Sequence, residues 1–284
     1  MRMSEQVSSG MRVVLIAIFC WFAGTSVAGA QPQAKTTAAF DEYVRLTEAR
    51  LDAELAGAGP YLRIDAHPQA RRDAELARLK SGAVLIEQLE TLQNGRRIEA
   101  PDALIHHWIA TVFLPGADLD RVVEMLQDYD RHAQLFVPGV MRSKLRSRKG
   151  DDFTMYLRLV RTKVITVVLD TENKVHYSSP RAGCVEFRAR STSVREVEDA
   201  GKATEAVKPA GEGHGFMWRL NTYGRLETRG DGVLVQFETV SLSRDIPFGL
   251  VWAIGPFVTS VPRESLMFTL ETLRRHVPGA RVPR

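Results

Sequence analysis

The feature that most constrains this chain is a series of segments in which apolar and polar residues alternate. In FTMYLRLV (153–160), every second residue from Phe153 to Leu159 is apolar, and Tyr156 and Arg158 stand between them. The same period of two recurs in MRSKLRSR (141–148), VEFRAR (185–190), FMWRLNTYGRLE (216–227) and VLVQFETVSLS (233–243). A period of two places successive side chains on opposite faces of a strand. The sequence therefore predicts an antiparallel sheet with one covered face and one solvated face.

A helix near the C-terminus is expected to cover that sheet. The segment Val261–Val277 has an apolar stripe at helical spacing, and Pro262 suits a first helical turn. The basic residues 274–276 suit its C-terminal end, where the helix dipole favours positive charge. The stripe consists of Leu266, Leu270, Leu273 and Val277.

Upstream elements complete an α+β pattern. The residues Asn94-Gly95 favour a tight hairpin turn between two strands, and Asp118–Phe136 has the periodicity of a helix. The sequence also predicts helices over Thr37–Ala56 and Gln69–Lys80. These two helices are too small a unit to fold on their own. We expect a helical N-terminal extension over residues 31–81 and a ligand-binding domain over 82–284.

The first thirty residues have the pattern of a secretory signal peptide. A short apolar run, Val13–Phe22, is followed by the small residues Ala28-Gly29-Ala30, and the run is too short to span a bilayer. We therefore predict export to the periplasm or medium after cleavage near Ala30. Cys184 would then be the only cysteine, so no internal disulfide is expected. The net charge of the whole chain, +4, is too small to indicate a nucleic-acid partner.

The order of elements resembles that of a known fold. Residues Ala110–Val140, ATVFLPGADLDRVVEMLQDYDRHAQLFVPGV, are similar to the opening of START-like (SRPBCC) domains, in which a strand ends in Pro, a helix follows and Pro-Gly begins the next strand. The resemblance covers residues 82–280 and implies the helix-grip fold, a sheet wrapped around a long C-terminal helix. The superfamily includes lipid-transfer domains, coenzyme Q-binding proteins and polyketide cyclase/aromatases.

The resemblance implies a ligand cavity between the sheet and the C-terminal helix. The alternation places apolar side chains and a few hydroxyl groups on the covered face, which is typical of a site for a hydrophobic ligand. No ionisable side chain is expected there, and a filled core is the alternative. The candidate ligand-binding residues are Met141, Leu145, Met155, Leu157, Phe187, Trp218, Leu220, Phe237, Thr239, Trp252 and Phe257.

Other chemistries find little support in the sequence. His106 and His107 are adjacent on a strand and point to opposite faces, so we predict no metal site, and no cofactor is expected. Cyclase chemistry would need a polar pair in the cavity, and Tyr223 or Glu238 could supply one only if a bulge turned it inward. A basic stripe along 142–149 is read as a solvated face rather than a lipid-headgroup site.

The uncharged segment Ile246–Val261 is interrupted by proline and glycine and is too short to cross a membrane. We interpret it as a lid at the cavity mouth that dips transiently into a membrane surface, with core packing as the alternative. Three functions stay open. The first is an exported protein that binds or carries a lipid, a quinone or a polyketide-like compound. The second is a cyclase/aromatase-type enzyme, and the third is an envelope interaction module with a filled cavity.

Overall fold

The computed structural model describes residues 31–163, 165–245, 251–277 and 279, with the backbone alone for 251–259. The predicted signal peptide, residues 1–30, lies outside the described residues, and so do residues 246–250 of the predicted lid. Within the described residues, no helix combines the length and the apolar character needed to cross a membrane.

The N-terminal segment forms two helices joined by a turn-rich connection. Helix α1 spans Ala34–Ala53 and continues into a π-helical turn, Glu54–Ala58, in which Gly57 has a positive φ of 89°. A 3-10 turn at Arg63–Ala66 precedes helix α2, Gln69–Lys80, which has the bounds predicted from the sequence.

The strands form one large antiparallel sheet. They are β1 (Leu85–Gln88), β2 (Leu92–Gln93), β3 (Arg96–Arg97), β4 (Ala103–Pro115), β5 (Val140–Lys149), β6 (Asp152–Thr162), β7 (Thr166–Arg181), β8 (Cys184–Glu198), β9 (Ala206–Val207), β10 (Arg219–Arg229) and β11 (Gly232–Arg244). Nine of them share a sheet with the order β1-β4-β11-β10-β8-β7-β6-β5, and β9 pairs with β8. The Asn94-Gly95 turn closes only the small β2–β3 ribbon, whereas β1 pairs with β4.

Helical turns connect β4 to β5. Helix α3, Leu119–Gln127, begins at Asp118, whose side chain accepts a hydrogen bond from the Arg121 amide at 3.2 Å. The single helix predicted for Asp118–Phe136 ends early, because Asp128 leaves the helical conformation (ψ 63°). A 3-10 turn and the short helix α4, His132–Leu135, follow.

Strand β7 was not predicted from the sequence, although it is the longest strand. Its alternation is hidden by polar residues on both faces: Asp170 accepts hydrogen bonds from Arg158 on one face, and Thr171 and Asn173 are buried on the other. A pattern based on apolar residues cannot detect such a strand.

Helix α5, Val251–His276, begins ten residues before the predicted start at Val261. The prediction that Pro262 occupies the first turn is therefore wrong, since both Pro256 and Pro262 lie inside the helix. The predicted stripe is confirmed, because Leu266, Leu270, Leu273 and Val277 are all buried in the core between the helix and the sheet. This antiparallel sheet with a long C-terminal helix packed on it confirms the α+β helix-grip prediction.

We call the face of the sheet that contacts α5 the inner face, and the opposite face the outer face. The outer face is not solvated at its centre, contrary to the prediction. Phe40, Tyr43 and Leu51 of α1 pack on Tyr223, Val240 and Leu242 of the outer face. A second cluster joins Tyr61, Leu62, Ile64 and Leu79 to Phe113, Cys184 and Leu234. The N-terminal helices thus cover the outer face as α5 covers the inner one.

Candidate ligand site

The inner face has an apolar half beneath the C-terminal half of α5. There Ala110, Val112, Leu226, Val235 and Phe237 pack on Leu266, Leu270 and Leu273, and all are buried. A row of aromatic rings extends this surface across the sheet, with centroid separations of 5.5 Å for Phe153–Tyr177, 5.2 Å for Tyr177–Phe187 and 5.3 Å for Phe187–Phe237. This half is a filled core.

The other half of the inner face carries polar side chains in register. His106 pairs with Ser241, and Trp108 pairs with Thr239, which pairs in turn with Thr222. His106 Nε2 is hydrogen-bonded to Ser243 Oγ at 3.0 Å. Asn173 donates to Thr171 Oγ1 at 3.0 Å, and Ser191 Oγ accepts from the Leu220 amide at 2.9 Å.

Burial distinguishes the two halves. In the polar half, His106, Thr171, Asn173, Ser241 and Ser243 are buried. Five other inner-face residues of this half are only half-buried, although they belong to a covered face: Trp108, Leu157, Leu220, Thr222 and Thr239. Solvent-sized space therefore reaches their side chains. An apolar wall with hydroxyl groups that is accessible from one end can hold an amphipathic molecule.

The structure places most of the predicted ligand-binding residues on the inner face. By register these are Leu145, Met155, Leu157, Phe187, Leu220, Phe237 and Thr239. Phe187 and Phe237 lie in the apolar half, whereas Leu157, Leu220 and Thr239 lie in the accessible half. For Trp252 and Phe257, predicted to form the lid, the side chains lie outside the described residues.

Two assignments to this face are wrong. Met141 lies at a β-bulge between Val140 and Arg142, which removes it from the alternation, and it is 46 % exposed. Trp218 precedes β10 and packs with Phe40 and Tyr43 in the cluster beneath α1. Both errors arise at strand ends, where strict alternation no longer holds.

The expectation that no ionisable group lies on this face is also wrong. Register places His106 on the inner face beside Ser241, and its burial lowers the pKa of His106 to about 4, so the imidazole is neutral at pH 7. Register also places Glu196 beside Leu169 and Arg148 beside Phe153 on this face, and Arg161 is a further such group. It follows Leu159 by two residues on β6 and reaches α5, where Nε donates to Ser265 Oγ at 2.7 Å.

The polar pair considered for cyclase chemistry faces away from the ligand site. Strands β10 and β11 pair without a bulge, so Tyr223 and Glu238 stay on the outer face. There Glu238 is hydrogen-bonded to His107 Nε2 at 2.8 Å and forms an ion pair with Arg50. Burial favours the neutral carboxyl, but the His107 hydrogen bond and the Arg50 charge outweigh it and lower the pKa of Glu238. These groups attach α1 to the sheet.

The remaining reactive side chains are also accounted for by packing. Cys184 is buried in the outer-face cluster, and burial raises the pKa of its thiol, which disfavours the thiolate. Over the described part of the chain, no group of three His, Cys, Asp or Glu side chains is arranged to hold a metal ion.

Comparison with known proteins identifies similar structures but no family model and no curated relative. A STAR-related lipid transfer protein fragment from Xanthomonas axonopodis is 19% identical, with 68% of this chain and 98% of that chain covered and a TM-score of 0.44. The Zhui aromatase/cyclase from Streptomyces is 12% identical, with 61% and 94% covered and a TM-score of 0.42. Human STARD10 is 7% identical, with 74% and 81% covered and a TM-score of 0.43.

Proposed function

We propose that this protein binds and carries a hydrophobic or amphipathic small molecule, such as a lipid, a quinone or a polyketide-like compound, between the inner face and α5. One observation carries the proposal: the inner face is filled in one half and accessible in the other. In the accessible half, Trp108, Leu157 and Leu220 offer apolar surface and Thr222 and Thr239 offer hydroxyl groups. Each Å² of apolar surface that a tail buries there would contribute about 25 cal/mol to the binding free energy.

The first test is recovery of a ligand. Protein purified from its own host is examined by native mass spectrometry, and its lipid extract is analysed. We expect a bound apolar molecule at close to one per chain. Repeated recovery of empty protein that also takes up no fluorescent lipid, whether the lipid head is neutral or charged, would contradict the proposal and favour an interaction module with a filled cavity.

A pair of variants locates the site. Thr222→Phe adds a ring to the accessible half of the inner face, whereas Thr228→Phe adds the same ring at an exposed position of the same strand. Uptake of a fluorescent lipid should fall at least about tenfold in Thr222→Phe and stay unchanged in Thr228→Phe. Equal uptake by both variants would place the ligand elsewhere.

We also propose that the protein is exported and cleaved near Ala30. The proposal rests on the apolar run Val13–Phe22 and the small residues that follow it. N-terminal sequencing of the protein from its host should start near Gln31. A chain in the cytoplasm that keeps residues 1–30 would contradict export without affecting the ligand proposal.

A further inference from the structure

Arg161 occupies a fixed position on the inner face at the end of β6. Its Nε donates to Ser265 Oγ of α5 at 2.7 Å, and its Nη1 donates to the carbonyl oxygen of Val160 at 2.8 Å. The guanidinium also lies over the ring of Phe268, 5.2 Å from the centroid. Three different partners therefore orient the planar group.

Gly139, in the turn immediately before β5, makes room for this arrangement. A Cβ at Gly139 would clash with the Arg161 guanidinium and would approach the Phe268 ring to 2.7 Å. The backbone of residue 139 also accepts a hydrogen bond from the Val160 amide at 3.0 Å. The absence of a side chain at 139 thus lets the guanidinium lie close to the main chain.

Arg161 differs from the two buried arginines of the sheet, Arg158 and Arg225, in lacking an acidic partner. Arg158 pairs with Asp170 at 2.7 Å, and Arg225 pairs with Glu54. Among the described residues no carboxylate forms an ion pair with Arg161, and Glu264 on the neighbouring turn of α5 pairs with Lys163 at 2.5 Å.

An arginine that is partly desolvated and unpaired is unfavourable for folding. Burial lowers the pKa of Arg161, and no charge within the described part of the chain counteracts that shift. Burying a charge without a partner costs free energy, so such groups occur where a ligand supplies the missing charge. A guanidinium with a free edge suits the paired oxygens of a carboxylate or a phosphate.

We propose that Arg161 binds the anionic head, a carboxylate or a phosphate, of an amphipathic ligand whose apolar tail lies along the inner face. This inference rests on the proposed function and narrows its ligand class. Ser265 and the Val160 carbonyl hold Nε and one N–H of Nη1, and the remaining N–H groups of Nη1 and Nη2 bind the oxygens of the head. The half-buried Leu157 and Leu159, which precede Arg161 on the same face of β6, contact the start of the tail.

The unmodified protein provides the first test. Dodecanoate, dodecyl phosphate and dodecanol share one tail. Each is titrated against a neutral fluorescent probe bound to the delipidated protein, the two anions below their micelle concentrations and dodecanol below its solubility limit. We expect at least one anionic compound to bind roughly 10- to 100-fold more tightly than dodecanol, the gain typical of a charged hydrogen bond. Equal affinity for all three would overturn the inference, and the stronger of the two anions identifies the head.

Variants assign the effect to this residue. Arg161→Gln should remove the advantage of the anionic compounds and change the affinity for dodecanol less than about twofold. Arg142→Gln, an exposed arginine on β5, is the matched control and should leave all three affinities unchanged. Arg161→Lys keeps the positive charge but not the paired N–H groups of the planar guanidinium, so it should lose part of the preference for the anionic compounds. An anion advantage that survives in folded Arg161→Gln would overturn the assignment.

The two proposals can fail separately. If neither the anions nor dodecanol displaces the probe and the probe itself does not bind, the proposed function fails. If dodecanol binds as well as the anions, the carrier function stands and only the role of Arg161 is wrong. Should Arg161→Gln fail to fold, the comparison of the three compounds on the unmodified protein still decides the inference.

Discussion

His106 is a buried imidazole on the inner face of the sheet, and its burial affects the stability of the fold. It is 7 % exposed, and its described polar side-chain partner is the hydroxyl of Ser243. Burial lowers its pKa from 6.5 to about 4. Between these two values the unfolded chain binds a proton that the folded chain does not, so the folded state loses stability as the pH falls.

Replacing His106 should reduce this pH dependence. From pH 7 to pH 5, His106 alone should lower the free energy of unfolding by about 2 kcal/mol in the wild type. Over the same pH interval, the free energy of unfolding of His106→Gln should fall by correspondingly less, as measured by urea denaturation at each pH. His132, which has a pKa lowered to about 4, contributes equally to both proteins and cancels. His176→Gln, at an exposed position of β7, is the control, and a variant with the pH profile of the wild type would contradict the prediction.

Gly224 is the position where the inner face tolerates no side chain. A Cβ there would overlap the ring of Phe187, which lies across β10. Gly224→Ala should lower the free energy of unfolding by about 1–3 kcal/mol, because the ring must leave its packed position. Adding Phe187→Leu should restore part of the loss, as measured by denaturation of the double variant. A double variant less stable than the sum of the single changes would contradict this account.

Single residues also mark where sequence reasoning succeeds and fails. Alternation places Met155, Phe187 and Phe237 correctly, because they lie in the middle of regular strands. It fails for Met141, since a bulge cannot be read from the residue types. Arg161 could have been found by extending the alternation of β6 two residues past Leu159.

At the scale of elements, arginines of the outer face add polar contacts to the apolar clusters that attach the N-terminal segment to the sheet. Arg225 is 3 % exposed and donates to the carbonyl oxygens of Leu51 and Tyr61, each at 2.9 Å, and to the Glu54 carboxylate. Nearby, Arg188 pairs with Asp52 at 2.6 Å. The guanidinium of Arg225 therefore joins the end of α1 to the following connection.

Removing this guanidinium should destabilise the protein strongly. Arg225→Met removes the donor to the Leu51 and Tyr61 carbonyl oxygens and leaves Glu54 with Arg50 alone, and we expect a loss of about 3 kcal/mol in the free energy of unfolding, measured by urea denaturation. The control is Arg45→Met on α1, whose exposed pair with Glu42 should contribute little. A loss for Arg225→Met no larger than that of the control would show that α1 is held by apolar packing alone.

The sequence predicts some helices and strands of this fold better than others. The strands with an apolar face, β6, β8, β10 and β11, and the stripe of α5 follow from periodicity, because burial selects apolar residues at regular intervals. The start of α5 was missed, since proline and glycine within Val251–Val261 indicate breaks rather than a helix. The role of α1 was undefined because its partner surface, the outer face, is formed by residues far away in the chain.

At the scale of the whole molecule, the two faces of the sheet serve different purposes. The outer face is closed by apolar clusters and by buried ion pairs with the N-terminal segment. The inner face is closed only in the half beneath Leu266–Leu273. A ligand that enters the accessible half adds apolar contacts that the empty folded protein lacks. Because the unfolded chain has no such site, binding must stabilise the fold.

This linkage gives a prediction for the complete protein. At a free ligand concentration of about one hundred times Kd, the gain is about 2.7 kcal/mol, which corresponds to a rise in Tm of roughly 5–10 °C for a chain of this size. Thermal unfolding of delipidated protein is compared with and without dodecanoate. Thr228→Phe should keep the rise, whereas Thr222→Phe should lose most of it, because its added ring already fills the accessible half. A full rise in Thr222→Phe would mean that the stabilising ligand binds outside the space between the inner face and α5.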